Sequence, residues 1–484
     1  MTRLTTISLA LATALLVAGC AVLEPKLPSA DAAIPAEWPL PPTTIAASPA
    51  TASGATAEGT AVADIGWRDF FVDQNLEELI ARALANNRDL RVAVLNVERA
   101  RDQYRIRRAD RLPSVSATGS MIRSGGDAPV NPSGLGAGAI SRLYSVDLGV
   151  SGFELDLFGR VRNLSQAALQ QYFSQEEARR SAQLSLIAEV ANAYLTLAAD
   201  SELMRVSQAT LKAYEDSYAL TERRHQYGAV SGLDVYQART EVEAARSDVA
   251  RFTGLIAQDT NALNLLVGAS AQALLPTSFD DAVTGLSPLP AGLPSQVLLR
   301  RPDVLQAEHQ LRAANASIGA ARAAFFPFIS LTGAIGTAST ELSHLFEGGT
   351  DTWSFTPSIS LPIFQGGRLR ANLGLSNTDR SIALAQYEKS IQSGFREVAD
   401  VLALSATLSA QRRAQEALVD AAKSAEALSR ARYEAGRDSY LVQLDAQRTL
   451  YTALQGLVSI RLTEQTNRVV LYKVLGGGWS ERSP

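Results

Sequence analysis

The sequence predicts a mainly α-helical chain with four β-strands, assembled from two copies of one unit. Three observations carry this. Arg160 to Tyr227 is a run of 68 residues with neither Pro nor Gly, and Arg368 to Ala435 is a second run of 68 with no Pro and only Gly374 and Gly394. Asp89 to Pro113 matches Asp303 to Pro327 at a constant offset of 214. After each of those prolines the apolar pattern switches from helical to alternating. A length of 484 residues would suggest about three globular domains, but two proline-free runs of about 100 Å each, if helical, fit an elongated unit better.

The N-terminus reads as an export signal over residues 1–19. Arg3 supplies a positive start, Ile7 to Val17 a short apolar stretch, and Val17-Ala18-Gly19-Cys20 small residues before the cleavage point. Cys20 is the only cysteine. Its position resembles a bacterial lipobox, which implies cleavage before it and lipidation of it, and Ala21 favours export to the outer membrane. Residues 20–64 then read as a lipidated tether, since seven of the 19 prolines lie between Pro25 and Pro49.

The first repeat is expected over 65–274. A medium helix near 75–112 runs into Pro113, which ends it. Strands follow at about 113–123 and 144–157, because Val115 and Ala117, then Val146, Leu148 and Val150, alternate with small or polar residues. Ser124 to Gly138 is Gly/Ser-rich and reads as a loop tip. Long helices at 160–227 and 232–267 come next. Within the first, Leu184, Ile187, Ala191, Tyr194 and Ala198 step by three and four, a seam like that of a coiled coil. Residues 275–302 read as a linker between repeats.

The second repeat, 303–478, has a medium helix over 303–326, strands at about 327–338 and 353–364, and long helices at 368–435 and 440–475, with a tail at 479–484. Gly228, Ser231, Leu233 and Ala238 match Gly436, Ser439, Leu441 and Ala446 at an offset of 208. Each Gly-x-x-Ser stretch reads as a sharp turn between long helices: Gly permits positive φ, and Ser caps the following helix.

Formal net charge is −4, and no stretch beyond the N-terminus holds 18 apolar residues in a row. A strongly basic nucleic-acid surface and a polytopic helical membrane protein are both excluded. One Cys and three scattered His (His225, His309 and His344) argue against a metal centre. Gly134-Leu135-Gly136-Ala137-Gly138 lacks the strand-to-helix setting of a nucleotide loop, and Gly149-Val150-Ser151-Gly152 misses the nucleophile-elbow spacing. No enzymatic activity and no cofactor are expected. Four strands cannot close a barrel alone, and open edges in lipid cost several kcal/mol per unpaired group. Membrane insertion therefore requires oligomerisation.

Arg300-Arg301-Pro302-Asp303-Val304, Ala321-Arg322-Ala323-Ala324-Phe325-Phe326-Pro327, Leu444-Asp445-Ala446-Gln447-Arg448 and Asp156-Leu157-Phe158-Gly159-Arg160 together resemble the TolC-like outer-membrane factors, in particular their lipidated OprM/NodT branch. The resemblance implies a homotrimer in which four strands per chain form one 12-stranded outer-membrane β-barrel continuous with a long periplasmic α-helical barrel. It implies a periplasmic adaptor (membrane fusion) protein and an inner-membrane resistance-nodulation-division pump as partners, and small amphipathic compounds as cargo. It also implies that Leu441, Asp445 and Arg448 form a periplasmic gate, with Asp445 recurring three times around the axis. Asp234 and Tyr433 match a pair that tethers neighbouring hairpins. Where some relatives place an Arg that clasps the first-half Asp, this chain has Asp438, and the resemblance leaves the neighbouring Arg437 to take that part. His225 is expected to face solvent. A polypeptide-export duct and a periplasmic coiled-coil lipoprotein are the alternative functions.

Overall fold

In a computed structural model, the structure describes residues 23–29, 35, 38, 62–125, 140–287 and 295–483. Cys20, the export signal, most of the tether and the Ser124–Gly138 loop beyond Gly125 lie outside the described residues. The chain divides into two units: residues 1–30, 97–175 and 307–387, and residues 31–96, 176–306 and 388–484.

The helices are α1 (Trp67–Phe70), α2 (Gln74–Asn86), α3 (Arg88–Ala109), α4 (Arg160–Gln226), α5 (Gly232–Val267), α6 (Phe279–Thr284), α7 (Pro302–Ala323), α8 (Arg368–Glu434) and α9 (Tyr440–Val474). The strands are β1 (Val115–Gly125), β2 (Ile140–Glu154), β3 (Phe328–Ser339) and β4 (Asp351–Ser360). Both 68-residue runs are thus single helices of 67 residues. Among the described residues no helix is long and apolar enough to cross a membrane.

The first unit holds the sheet, an antiparallel meander in the order β1-β2-β3-β4. Directly opposed residues share a face, so the register reads out both faces. One carries Val115, Ala117 and Met121 opposite Val150, Leu148 and Tyr144, then Ile335 and Ile329 opposite Trp353 and Ile359. Trp353 is 80% exposed and Ile359 72%. The other face carries Ser116, Thr118 and Ser120, Ser145 and Asp147, Ser330 and Thr332, and the Ser/Thr positions of β4. Its hydroxyls pair across strands: Ser120 with Ser145 at 2.9 Å and Ser330 with Ser358 at 2.7 Å. β1 and β4 each have a strand on one side only.

Two strands end earlier than the alternation suggests. Leu155 and Leu157 continue the pattern after β2, but Glu154 is ion-paired to Arg160 and the Asp156 carboxylate accepts from the Arg162 N–H at 2.7 Å, which starts α4 instead. Phe158 stacks on Phe326 at 4.7 Å beside this junction. Leu361 and Ile363 continue the pattern after β4, but Pro362 has no N–H to donate to a ladder. The tether also differs from the sequence reading over residues 23–29. Asn315 Nδ2 donates to Glu24 Oε1 (3.0 Å) and to the Pro25 carbonyl (2.8 Å), and Arg322 donates to the Leu23 carbonyl at 3.1 Å.

The second unit holds the main apolar core. The α4 seam is buried as its spacing predicts: Leu184, Ile187, Ala191, Tyr194 and Ala198 are at most 5% exposed. Against it pack Phe70, Leu76, Leu79 and Ile80 from α1 and α2, Leu263 and Val267 from α5, and Val469 and Tyr472 from α9. The medium helix expected near 75–112 is two helices. Asn87 breaks it, accepting from the Leu90 N–H at 2.9 Å while its own amide donates to the Leu266 carbonyl at 2.9 Å. The expected linker contains α6, capped by Ser278, whose Oγ accepts from the Asp281 N–H at 3.1 Å. The expected tail is bonded to the start of the unit, with the Trp67 and Arg68 N–H groups donating to the Ser480 and Glu481 carbonyls, each at 3.1 Å. Arg301 of the Arg-Arg-Pro-Asp-Val motif is buried and holds Asp303, Glu397 (2.7 Å) and the Val474 carbonyl (2.9 Å) together.

Candidate functional site at the helical hairpin tips

Two reversals lie in the second unit: α4 to α5 through Gly228, and α8 to α9 through Gly436. Gly228 has φ 74° and Gly436 φ 72°, a conformation that costs an L side chain roughly 1 kcal/mol or more. Both turns close in the same way. The Gly228 and Ala229 N–H groups reach back to the His225 and Arg224 carbonyls, and the Gly436 and Arg437 N–H groups to those of Tyr433 and Arg432, at 2.8–2.9 Å. These are paired Schellman closures, which satisfy helix-end carbonyls.

The two serines behave differently. Ser231 makes a full capping box with Asp234: the Asp234 N–H donates to Ser231 Oγ, and the Ser231 N–H donates back to Asp234 Oδ2 at 2.9 Å. Ser439 occupies the equivalent position but its side chain makes no cap bond, contrary to the expectation for it. The third helical residue here is Val442, which has no carboxylate to return the bond.

A clamp holds the two hairpins of the chain together. Arg224 at the end of α4 donates to the Tyr433 and Glu434 carbonyls at the end of α8, both at 2.9 Å, and lies over the Tyr433 ring at 4.4 Å. Tyr433 is 2% exposed; its hydroxyl lies 3.1 Å from Thr221 Oγ1. It packs with Ala238, Tyr440 and Leu444. Burial among these groups pushes the Tyr440 hydroxyl up to about 12, and burial against Val242 and Ala245 raises the Tyr214 hydroxyl well above its ordinary value. Further along, Arg448 of α9 is ion-paired to the buried Glu241 of α5, and the Tyr451 hydroxyl donates to Asp248 of α5 at 2.8 Å.

Leu441, Asp445 and Arg448 share the exposed side of α9, while Gln443, Leu444 and Gln447 face inward. The structure thus places the three expected gate residues on one face, but pairs Arg448 with Glu241. Among the described residues Asp234 bonds to its own cap, while Tyr433 bonds to Thr221 and Arg224. Asp438 is held by Arg432 (2.6 and 2.8 Å); this bond holds the Asp438 carboxyl below its ordinary value. His225 is exposed and its Nδ1 lies 3.0 Å from the Val230 carbonyl. Arg224, Thr221 and Glu241 were not singled out in the sequence. A signal did exist for Arg224: it aligns with Arg432 at the same offset of 208. The two arginines do different work, one gripping the neighbouring hairpin and the other its own turn.

This geometry can be set beside known proteins. The sequence profile of the outer membrane efflux protein family matches residues 79–269 and 293–477. The chain is 49% identical over 471 residues to the toluene efflux pump outer membrane protein TtgC of Pseudomonas putida, covering 97% of this chain and 95% of that one. It is 45% identical over 436 residues to outer membrane protein OprJ of Pseudomonas aeruginosa, covering 89% and 90%. Among solved structures, a membrane protein from Pseudomonas aeruginosa superposes with a TM-score of 0.85 at 40% identity, covering 94% of this chain and all of that one. The open state of the Neisseria gonorrhoeae MtrE outer membrane channel superposes at 0.84 with 37% identity, covering 96% and 100%. Two long helical hairpins and a four-stranded sheet on one duplicated chain are the architecture of these channels, and the chain belongs to the outer membrane efflux protein family.

Proposed function

We propose that three copies of this chain close a 12-stranded barrel in the outer membrane and a helical barrel below it. Together they form the passive outer-membrane duct of a tripartite efflux system. The observation that carries this reading is the sheet, with an exposed apolar face, a hydroxyl-lined face and two half-paired edge strands. An apolar exterior suits lipid, a polar interior suits a water-filled lumen, and open edges are satisfied only by another copy. The duct carries small amphipathic compounds, including solvents and antibiotics, as the toluene efflux name of its relative suggests. Energy comes from a resistance-nodulation-division pump of the inner membrane, joined through a periplasmic adaptor; the chain has no catalysis of its own. Cys20 is lipidated and anchors the mature N-terminus, since acyl chains add about 0.8 kcal/mol per buried CH₂.

The hairpin tips form the periplasmic aperture. Leu441, Asp445 and Arg448 line it, with a ring of three Asp445 carboxylates favouring cations at the constriction. The Arg448–Glu241 pair ties the gate-bearing helix to α5 of the same chain, and any link from Asp234 to Tyr433 runs between copies. Deletion of the gene, with the partner pump expressed, is expected to lower tolerance to toluene and amphipathic antibiotics and to raise their accumulation. Complementation in trans should restore both. Unchanged susceptibility across a broad panel would favour polypeptide export or a scaffold.

A further inference from the structure

Arg123 on β1 and Arg142 on β2 are directly opposed in the ladder, so their side chains share a face and their Cβ atoms are about 5 Å apart. That face is the apolar one, reached through the pairs Val115–Val150, Ala117–Leu148, Gly119–Val146 and Met121–Tyr144. Both arginines are exposed. Among the described residues neither guanidinium has an ion-pair or hydrogen-bond partner. Like charges directly opposed repel. The strands do not splay to relieve this, because pairing continues to Gly125–Ile140 and the Ser124 and Ser141 hydroxyls meet at 3.1 Å on the opposite face.

The pair also sits at a defined height. All four strand ends that lead to helices lie together, at Val115, Glu154, Phe328 and Ser360, so Gly125 and Ile140 mark the far end. From Val115 to Arg123 the strand rises about 27 Å, or about 20 Å along the membrane normal at the tilt of a barrel. An apolar band is about 25 Å tall, so with Val115 at its inner edge the two arginines lie on the lipid side within about 5 Å of its outer rim. Two adjacent guanidinium forks are a natural receptor for a phosphate group.

We propose that Arg123 and Arg142 form a binding site for the phosphate of an anionic glycolipid of the outer leaflet, one site per chain. The proposal rests on the outer-membrane barrel reading above. The test uses the full-length protein purified in detergent, as wild type and as R123Q/R142Q, titrated with diphosphorylated lipid A and with its dephosphorylated form and followed by native mass spectrometry. Wild type should bind the phosphorylated lipid at least about tenfold more tightly than the dephosphorylated one. The double variant should lose that preference, while planar-bilayer conductance stays the same for both proteins. Equal binding of the two lipids by wild type, or displacement of the lipid by an equal concentration of inorganic phosphate, would overturn the site even if the variant folds poorly. Normal conductance alongside equal binding removes the lipid site and leaves the duct; a wild type that conducts nothing removes both.

Discussion

Single side chains at the hairpin tips do separable jobs, and each gives its own prediction. Ser231 and Ser439 occupy equivalent positions, yet only Ser231 completes a cap. Ser231→Ala should therefore cost about 1 kcal/mol, read as faster amide exchange in the first turn of α5, whereas Ser439→Ala should leave the first turn of α9 unchanged. Equal effects would contradict the assignment. Asp445 projects from the exposed side of α9, so Asp445→Ala should raise single-channel conductance with little change in thermal stability. Arg448→Ala should raise conductance too, but should also loosen α9 against α5, because it strands the buried Glu241 carboxylate. An Asp445→Ala channel with wild-type conductance would remove Asp445 from the gate.

Helix pairs carry the next set of consequences. Asp259 of α5 is pushed up to about 6, first by burial and then by the charge of Asp200 on α4, whose own carboxyl is also raised by burial. A carboxyl whose folded value lies above its unfolded one favours folding while it is protonated, and that advantage is lost as pH rises through the folded value. Packing of α4 on α5 should then be firmer at pH 5 than at pH 7.5, as judged by amide exchange around Asp259. Asp259→Asn should flatten the difference and protect the region at pH 7.5. A region equally protected at both pH values in wild type would rule out the coupling.

The long helices were legible because they lack breakers, and both turns because their glycines recur at a fixed offset. The Asn87 break was not legible: the Asn86-Asn87 pair sits amid helical periodicity, and what ends the helix there is the Asn87 amide reaching the Leu266 carbonyl, 179 positions away. Strand ends were misplaced where a local contact outweighed alternation, at Glu154–Arg160 and at Pro362. At the tips, sequence placed Leu441, Asp445 and Arg448 on one face correctly. It could not give Arg448 its partner, since Glu241 lies on a different helix and its counterpart at the offset of 208 is Thr449, which carries no charge.

For the whole molecule, duplication explains why one chain is insufficient. Each repeat contributes a pair of strands and a pair of long helices, and the four-stranded product keeps two half-paired edges that closure with further copies would complete. Substituting Cys20 by Ser should abolish incorporation of labelled palmitate, while trimers still form if the barrel alone holds the protein in the membrane. Loss of trimers in that variant would make the anchor a condition of assembly. The most direct test of the central claim is the conductance of the purified full-length protein in a planar bilayer, together with its mass in detergent. A three-chain particle that inserts and conducts ions in discrete steps is expected; a one-chain particle that leaves the bilayer silent would contradict the trimeric duct.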